Sequence, residues 1–281
     1  MKKLLYIVLD GLGDRPIKEF GGRTPLEAAK KPNLDKLTPK AKLGLVYTVG
    51  KGIAPESDIA VISILGYDGK KYYTGRGPLE SFAEGLDVKD GDLAYRVNFA
   101  TSGKDGKILD RRVGRNLTTR EASGLSKEIN SKVKLTDAGF QFKNTIGHRG
   151  VLVIRSKKTA LSAEVTNTDP AYGKEGSFGV ALSTFENFVK ACEPTEKGKR
   201  LEGAREAARL TNEFLEKSRN VLESSSINKK RTSSGKMPAN SILTRDGGDR
   251  LPIFPKMKDL FNLNMGCFVE MPVEKGIALL T

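Results

Sequence analysis

Among 281 residues the chain has one histidine, His148, no tryptophan, and two cysteines, Cys192 and Cys267. Two thiols so far apart in sequence exclude a disulfide framework or a cysteine-based zinc site, and both are read as ordinary thiols. No apolar run approaches the ~18 residues of a membrane-spanning helix. The opening Leu4–Leu9 imitates a signal peptide for a few residues and then meets Asp10 and Asp14, so a cytoplasmic protein with no membrane partner is expected. Aromatics make up only 7%, but 38% apolar and 29% charged residues still describe a chain that folds rather than a disordered one. At roughly 150 residues per domain, the length suggests about two domains.

Positive charge is abundant. Lys and Arg total 48 against 34 Asp and Glu, a formal net charge of +14. Such a field attracts phosphates, anionic metabolites or nucleic acid. No basic block reaches five like charges. The densest, Lys229-Lys230-Arg231, lies between serine-rich stretches and reads as a solvated loop, so nucleic acid is not an expected partner.

Leu4-Leu5-Tyr6-Ile7-Val8-Leu9 is apolar on both faces and stops at Asp10-Gly11-Leu12-Gly13-Asp14, the pattern of a buried strand in a parallel α/β sheet. Functional groups collect beyond the carboxyl ends of such strands, which makes Asp10 a candidate metal or substrate ligand; a simple turn is the alternative. Thr24-Pro25 opens a short helix, and Leu43–Val49 is strand-like. A second candidate follows in Gly52-Ile53-Ala54-Pro55-Glu56-Ser57-Asp58. The helical run Ile59–Leu65 and its Gly66 stop put Ser57 at or beside a helix N-terminus, where the dipole favours an ionised oxygen or a phosphate. Serine is also a preferred N-cap, so a plain capping role stands beside the nucleophilic one. A serine hydroxyl needs a base or a metal to react, and no base is visible nearby.

Five motifs occur in order over the first 80 residues. They are Asp10-Gly11-Leu12-Gly13-Asp14-Arg15-Pro16, Gly22–Ala29, Ala54-Pro55-Glu56-Ser57-Asp58-Ile59-Ala60-Val61, Leu65-Gly66-Tyr67-Asp68 and Tyr73-Thr74-Gly75-Arg76-Gly77-Pro78-Leu79-Glu80. Together they resemble the archaeal-type cofactor-independent (2,3-bisphosphoglycerate-independent) phosphoglycerate mutases of the alkaline phosphatase superfamily. The resemblance implies an α/β fold with a mostly parallel sheet flanked by helices, interrupted by a smaller inserted α+β domain. Residues 1–83 and 236–281 would belong to the incomplete phosphatase-like core, and 84–235 to the insert and linker. It implies interconversion of 3-phosphoglycerate and 2-phosphoglycerate through a phosphoserine at Ser57, with Asp10 and Ser57 touching divalent ions (Mn, Mg, Zn or Co) and no 2,3-bisphosphoglycerate requirement.

Within the insert, Tyr95–Thr101 and Gly150–Arg155 read as strands, Thr118–Ala122 starts a helix running toward Asn130, and Leu201–Glu223 spaces an apolar stripe for packing. Guanidinium forks grip phosphate and carboxylate in two-pronged fashion, which suits a phosphorylated glycerate. The resemblance therefore nominates Arg96, Arg112, Arg115, His148 and Arg149 as anion contacts. Ala239–Gly248 resembles a core strand followed by a loop carrying Arg245, which faces the site, and Lys275 matches a lysine that stabilises the moving phosphoryl group.

The family's remaining Asp and His metal ligands have no counterpart in these 281 residues, whose sole histidine lies in the insert. The resemblance thus covers about the first two-thirds of such an enzyme. The chain alone is expected to be inactive, because a divalent ion wants four to six donors. An unpaired sheet edge would favour poor solubility or a homo-oligomer. Another metal-dependent phosphomutase or phosphatase of the superfamily, or a non-catalytic anion-binding fragment, are the rival readings.

Overall fold

The computed structural model describes residues 3–53, 55–175 and 178–281; Ala54, which belongs to two of the stretches quoted above, lies outside the described residues. Two compact units divide the chain after Ile53. In the first, α1 (Pro25–Ala28) and α2 (Pro32–Leu37) both begin at proline, whose fixed φ and missing N–H suit a first helical position. Thr24 closes a capping box: its hydroxyl accepts from the Glu27 N–H at 3.2 Å, and the Glu27 carboxylate accepts from the Thr24 N–H at 2.8 Å.

Leu4–Leu9 departs from expectation. These residues form no strand and are 50–84% exposed. Leu43–Val49 likewise stays out of any sheet, with Leu45 98% exposed. A strand buried on both faces needs hydrogen-bonded neighbours and covering helices, and no segment of the described residues supplies them. The chain is a mixed α/β protein, and the sheets it does form are antiparallel.

The second unit begins with α3 (Ser57–Ile64), α4 (Gly69–Tyr72) and α5 (Arg76–Ala83). Next come β1 (Leu93–Ser102), β2 (Ile108–Asp110), α6 (Thr119–Lys132), β3 (Ala138–Asn144) and β4 (Arg149–Ser156). A hairpin of β5 (Tyr172–Glu175) and β6 (Phe178–Ala181) precedes the long α7 (Glu202–Ser224) and α8 (Ser226–Ser233). The described chain ends with β7 (Ser241–Gly248), α9 (Met257–Phe261) and α10 (Pro272–Leu280). β1 is central, flanked by β4 and β7, with β3 beyond β4 and β2 joined to the last two residues of β1. β7 pairs with β1 along Ala94–Ala100.

Period-two alternation explains how β1 can be buried along its whole length. Leu93, Tyr95, Val97 and Phe99 point into the main core with Ala122, Leu125 and Ile129 of α6 and Leu210 and Phe214 of α7. Each such side chain contributes about 1.5–3 kcal/mol on burial. A second capping box, Thr118 with Glu121, starts α6. The opposite face of β1 carries Ala94, Arg96, Asn98 and Ala100, and α5 covers part of it. Gly77 of α5 makes this approach feasible, since a Cβ there would collide with the Ala94 carbonyl. α10 rests in turn on α5, where a Cβ on Gly276 would meet the Leu79 carbonyl.

The stretch around Lys229-Lys230-Arg231 is also not a solvated loop. It forms α8, and Arg231 is 1% exposed, donating to the Met237 carbonyl at 2.9 Å, to Glu121 at 2.9 Å and to the Asn116 side chain at 2.5 Å. Local composition could not reveal this, because every one of those partners lies outside α8. Both thiols are free, Cys192 buried and Cys267 exposed.

Candidate functional site

Strand register assembles the site. Arg96 stands opposite Arg245 across the β1–β7 ladder, and Asn98 stands opposite Arg149 across the β1–β4 ladder. Directly opposed residues share a face, so all four project to the side away from the main core. Arg112 and Arg115 arrive from the turn after β2. There Val113, Gly114 and Arg115 all adopt left-handed backbone, with φ of 53°, 61° and 53°. For a β-branched residue this is an outlier worth roughly 1–3 kcal/mol. The fully buried Val113 side chain anchors it in the core, while Asp110 accepts from the Arg112 N–H at 2.7 Å. The strained turn projects both arginines to one side.

These residues, with His148, line one cavity of about 180 Å³. Five guanidiniums therefore share a space scarcely larger than a small metabolite. Burial and then the charges of Arg149, Arg112, Arg115 and Arg96 push the His148 imidazole down to about 4, so near neutral pH it is an uncharged donor and acceptor. Burial also lowers Arg96, to about 10, with Arg245 and Arg76 adding repulsion against the attraction of Glu80. Three carboxylates stand behind the cavity wall: Glu80 lies 3.8 Å from the Arg96 Nε, Asp246 lies 3.3 Å from the Arg245 Nε, and Asp169 lies 4.0 Å from Arg245. The Nε of Arg96, the Nε of Arg245 and the Oδ1 of Asn98 are buried without a hydrogen-bond partner. Groups of this kind cost free energy until something completes them.

Ser57 occupies the first position of α3. Glu56 holds the capping position and makes no side-chain capping bond, so Ser57 is not the cap that composition allowed. Glu56 is tied into the same charge network. It lies 3.6 Å from Arg76, which pairs with Glu80 at 2.6 Å. Glu56 and Asp246 also flank Gly179, where an added Cβ would lie 3.5 Å from a Glu56 oxygen and 2.6 Å from an Asp246 oxygen. Burial and the facing Asp246 and Asp58 raise Glu56 to about 7. The neighbours of Ser57 and of Arg245 thus meet across one glycine.

Every arginine nominated from sequence, with His148, falls on this one cavity, Arg245 from within a strand rather than a following loop. Lys275 does not: it sits at an exposed position of α10. Asp10 lies in the first unit, at an exposed turn beside Gly11, whose φ is 70°. Sequence reasoning missed Asn98, although alternation from Arg96 along β1 would have found it. It also missed the supporting carboxylates Glu80, Asp169 and Asp246, whose role depends on pairing between distant segments.

The family model for 2,3-bisphosphoglycerate-independent phosphoglycerate mutase matches residues 39–228. The chain belongs to this family. A mutase of that name from Aeropyrum pernix is 45% identical over 98% of this chain, and one from Thermococcus kodakarensis is 41% identical over 99%. This family member spans 64% and 62% of the length of those two relatives. Among solved structures, a cofactor-independent phosphoglycerate mutase from Thermoplasma acidophilum matches with a TM-score of 0.56 at 33% identity, over 97% of this chain and 67% of its own. A Pyrococcus horikoshii protein matches with a TM-score of 0.66 at 29% identity, over 97% of this chain and 58% of its own. No helix of the described residues is long and apolar enough to cross a membrane.

Proposed function

We propose that this chain grips the substrate of a mutase interconverting 3-phosphoglycerate and 2-phosphoglycerate, and that Ser57 carries the phosphoryl group between the two glycerate oxygens. The observation that supports substrate binding is the cavity itself: five guanidiniums, an uncharged imidazole and an amide around about 180 Å³, while the role of Ser57 rests on the motif it belongs to and its place at the first position of α3. A phosphoglycerate brings a phosphate and a carboxylate, and forked donors on three strands and a turn can hold both at once. In transfer, the phosphorus–oxygen bond to one glycerate oxygen breaks as the bond to Ser57 Oγ forms, with the serine proton passing to the departing glycerate oxygen; the return step delivers the phosphoryl group to the other hydroxyl, whose proton restores the serine. Arg96 and Arg245 would neutralise charge on the group in transit, and Lys275 is assigned a supporting electrostatic role.

The family resemblance implies divalent ions. No group of three or more His, Cys, Asp or Glu among the described residues is arranged to hold an ion. Asp10 and Ser57 alone do not supply the roughly four to six donors that a divalent ion wants, and the 281-residue chain is proposed to bind substrate with negligible turnover. The test is an assay of the purified chain: 3-phosphoglycerate binds and conversion stays at background. Normal conversion overturns the inactivity, absence of binding overturns the function, and trapped phosphate mapping to a serine other than Ser57 overturns the carrier assignment.

A further inference from the structure

The geometry points to Asp169 as the positioning residue that locks the two walls of the arginine cavity together. This rests on reading the cavity as an anion site. Asp169 is 1% exposed and does not line the cavity. It accepts two parallel bonds from Arg111, Nε to Oδ1 at 2.9 Å and Nη2 to Oδ2 at 2.6 Å. Arg111 immediately precedes Arg112, so this fork fixes the turn that carries Arg112 and Arg115. The same Oδ2 lies 4.0 Å from Arg245 on β7.

Tyr172 completes the clamp. Its ring lies 3.7 Å from the Arg245 guanidinium carbon and 5.2 Å from that of Arg111. Arg245 therefore rests on an aromatic face between two carboxylates, the Asp246 Oδ2 3.3 Å from its Nε and the Asp169 Oδ2 4.0 Å from its Nη1, which together orient the guanidinium toward the cavity. The backbone N–H groups of Thr168 and Asp169 both donate to the Thr244 carbonyl, at 3.0 and 3.2 Å, which welds the Asp169 loop to β7. One carboxylate, anchored to the strand of one wall, thereby holds the turn of the other.

The sign of one mutation separates positioning from plain electrostatics. As a bystander charge, Asp169 repels anions, and Asp169→Asn should tighten anion binding. As the clamp, its loss should loosen Arg112, Arg115 and Arg245 and weaken binding, by about tenfold for one charge-assisted pair's worth of order. Inorganic phosphate and 3-phosphoglycerate are titrated calorimetrically into the folded 281-residue chain and into D169N, D169E and R111K. The two charge-conserving variants guard against a D169N that does not fold. Weaker binding in all folded variants is expected; unchanged or tighter binding overturns the inference. If the unaltered chain binds neither probe, the anion-site reading fails, and the clamp is judged by NMR signals of the arginine Nε–H groups. Both Arg111 and Arg245 signals should shift in D169N, and an unmoved Arg245 signal overturns the clamp.

Discussion

Two buried arginines, Arg96 and Arg76, should respond oppositely to the same substitution. Arg96 is 7% exposed, and its nearest carboxylate, Glu80, is 3.8 Å away and already bonded to Arg76 at 2.6 Å. Removing Arg96 orphans no carboxylate and relieves its repulsion with Arg245 and Arg76. Arg96→Met should therefore leave stability unchanged or raise it. It should cost ligand binding about 1.5–3 kcal/mol, the value of hydrogen bonds to a charged group, or roughly 10- to 150-fold in Kd for 3-phosphoglycerate. Arg76 is 2% exposed and serves both Glu80 and Glu56. Arg76→Met takes the hydrogen-bonded partner from Glu80 and the ion-pair partner from Glu56 and should cost about 3–5 kcal/mol of stability, at about 2–4 °C of Tm per kcal/mol. Thermal unfolding and calorimetric titration of both variants give the answer. An Arg96→Met that unfolds as readily as Arg76→Met, or that binds 3-phosphoglycerate like the parent, refutes the reasoning.

His148 has a folded pKa of about 4, below its unfolded 6.5, so the unfolded state takes up the proton first and the fold loses stability as pH falls from 6.5 toward 4. Saturating phosphate should screen the arginines and move the imidazole titration upward, readable in its NMR shifts; an unmoved midpoint contradicts the cavity's electrostatics. Arg231→Met should cost about 3–5 kcal/mol because it unbonds two carbonyls and an amide and takes one partner from Glu121, which keeps its Thr118 bonds, while phosphate affinity stays within about twofold. Denaturant unfolding and phosphate titration check both halves. Ser57→Ala should leave 3-phosphoglycerate affinity within about twofold, since Ser57 does not line the cavity; a larger loss would place its hydroxyl on the resting ligand.

Much of this was legible where the physics is local. The Tyr95–Thr101 run declares itself as strand by alternation and β-propensity, and Thr118 with Glu121 announces the start of α6. The arginines that meet in the cavity were nominated one by one through family resemblance. Their convergence depends on a strand register that no single segment encodes. Leu4–Leu9 misled for the opposite reason: an apolar run reports what a segment can bury, and the strands that would bury it are not among the described residues. Arg231 misled because a charged residue within a polar stretch is solvated by default, and only Asn116, Glu121 and Met237 make it a core residue. The positive φ at Val113 follows from tertiary anchoring, since its own chemistry disfavours that backbone.

The most direct measurement is a calorimetric titration of the 281-residue chain with 3-phosphoglycerate, glycerate and inorganic phosphate in parallel. A cavity that holds phosphate and carboxylate together predicts saturable 1:1 binding, tightest for 3-phosphoglycerate. Equal, weak binding of all three that vanishes with moderate salt would contradict it.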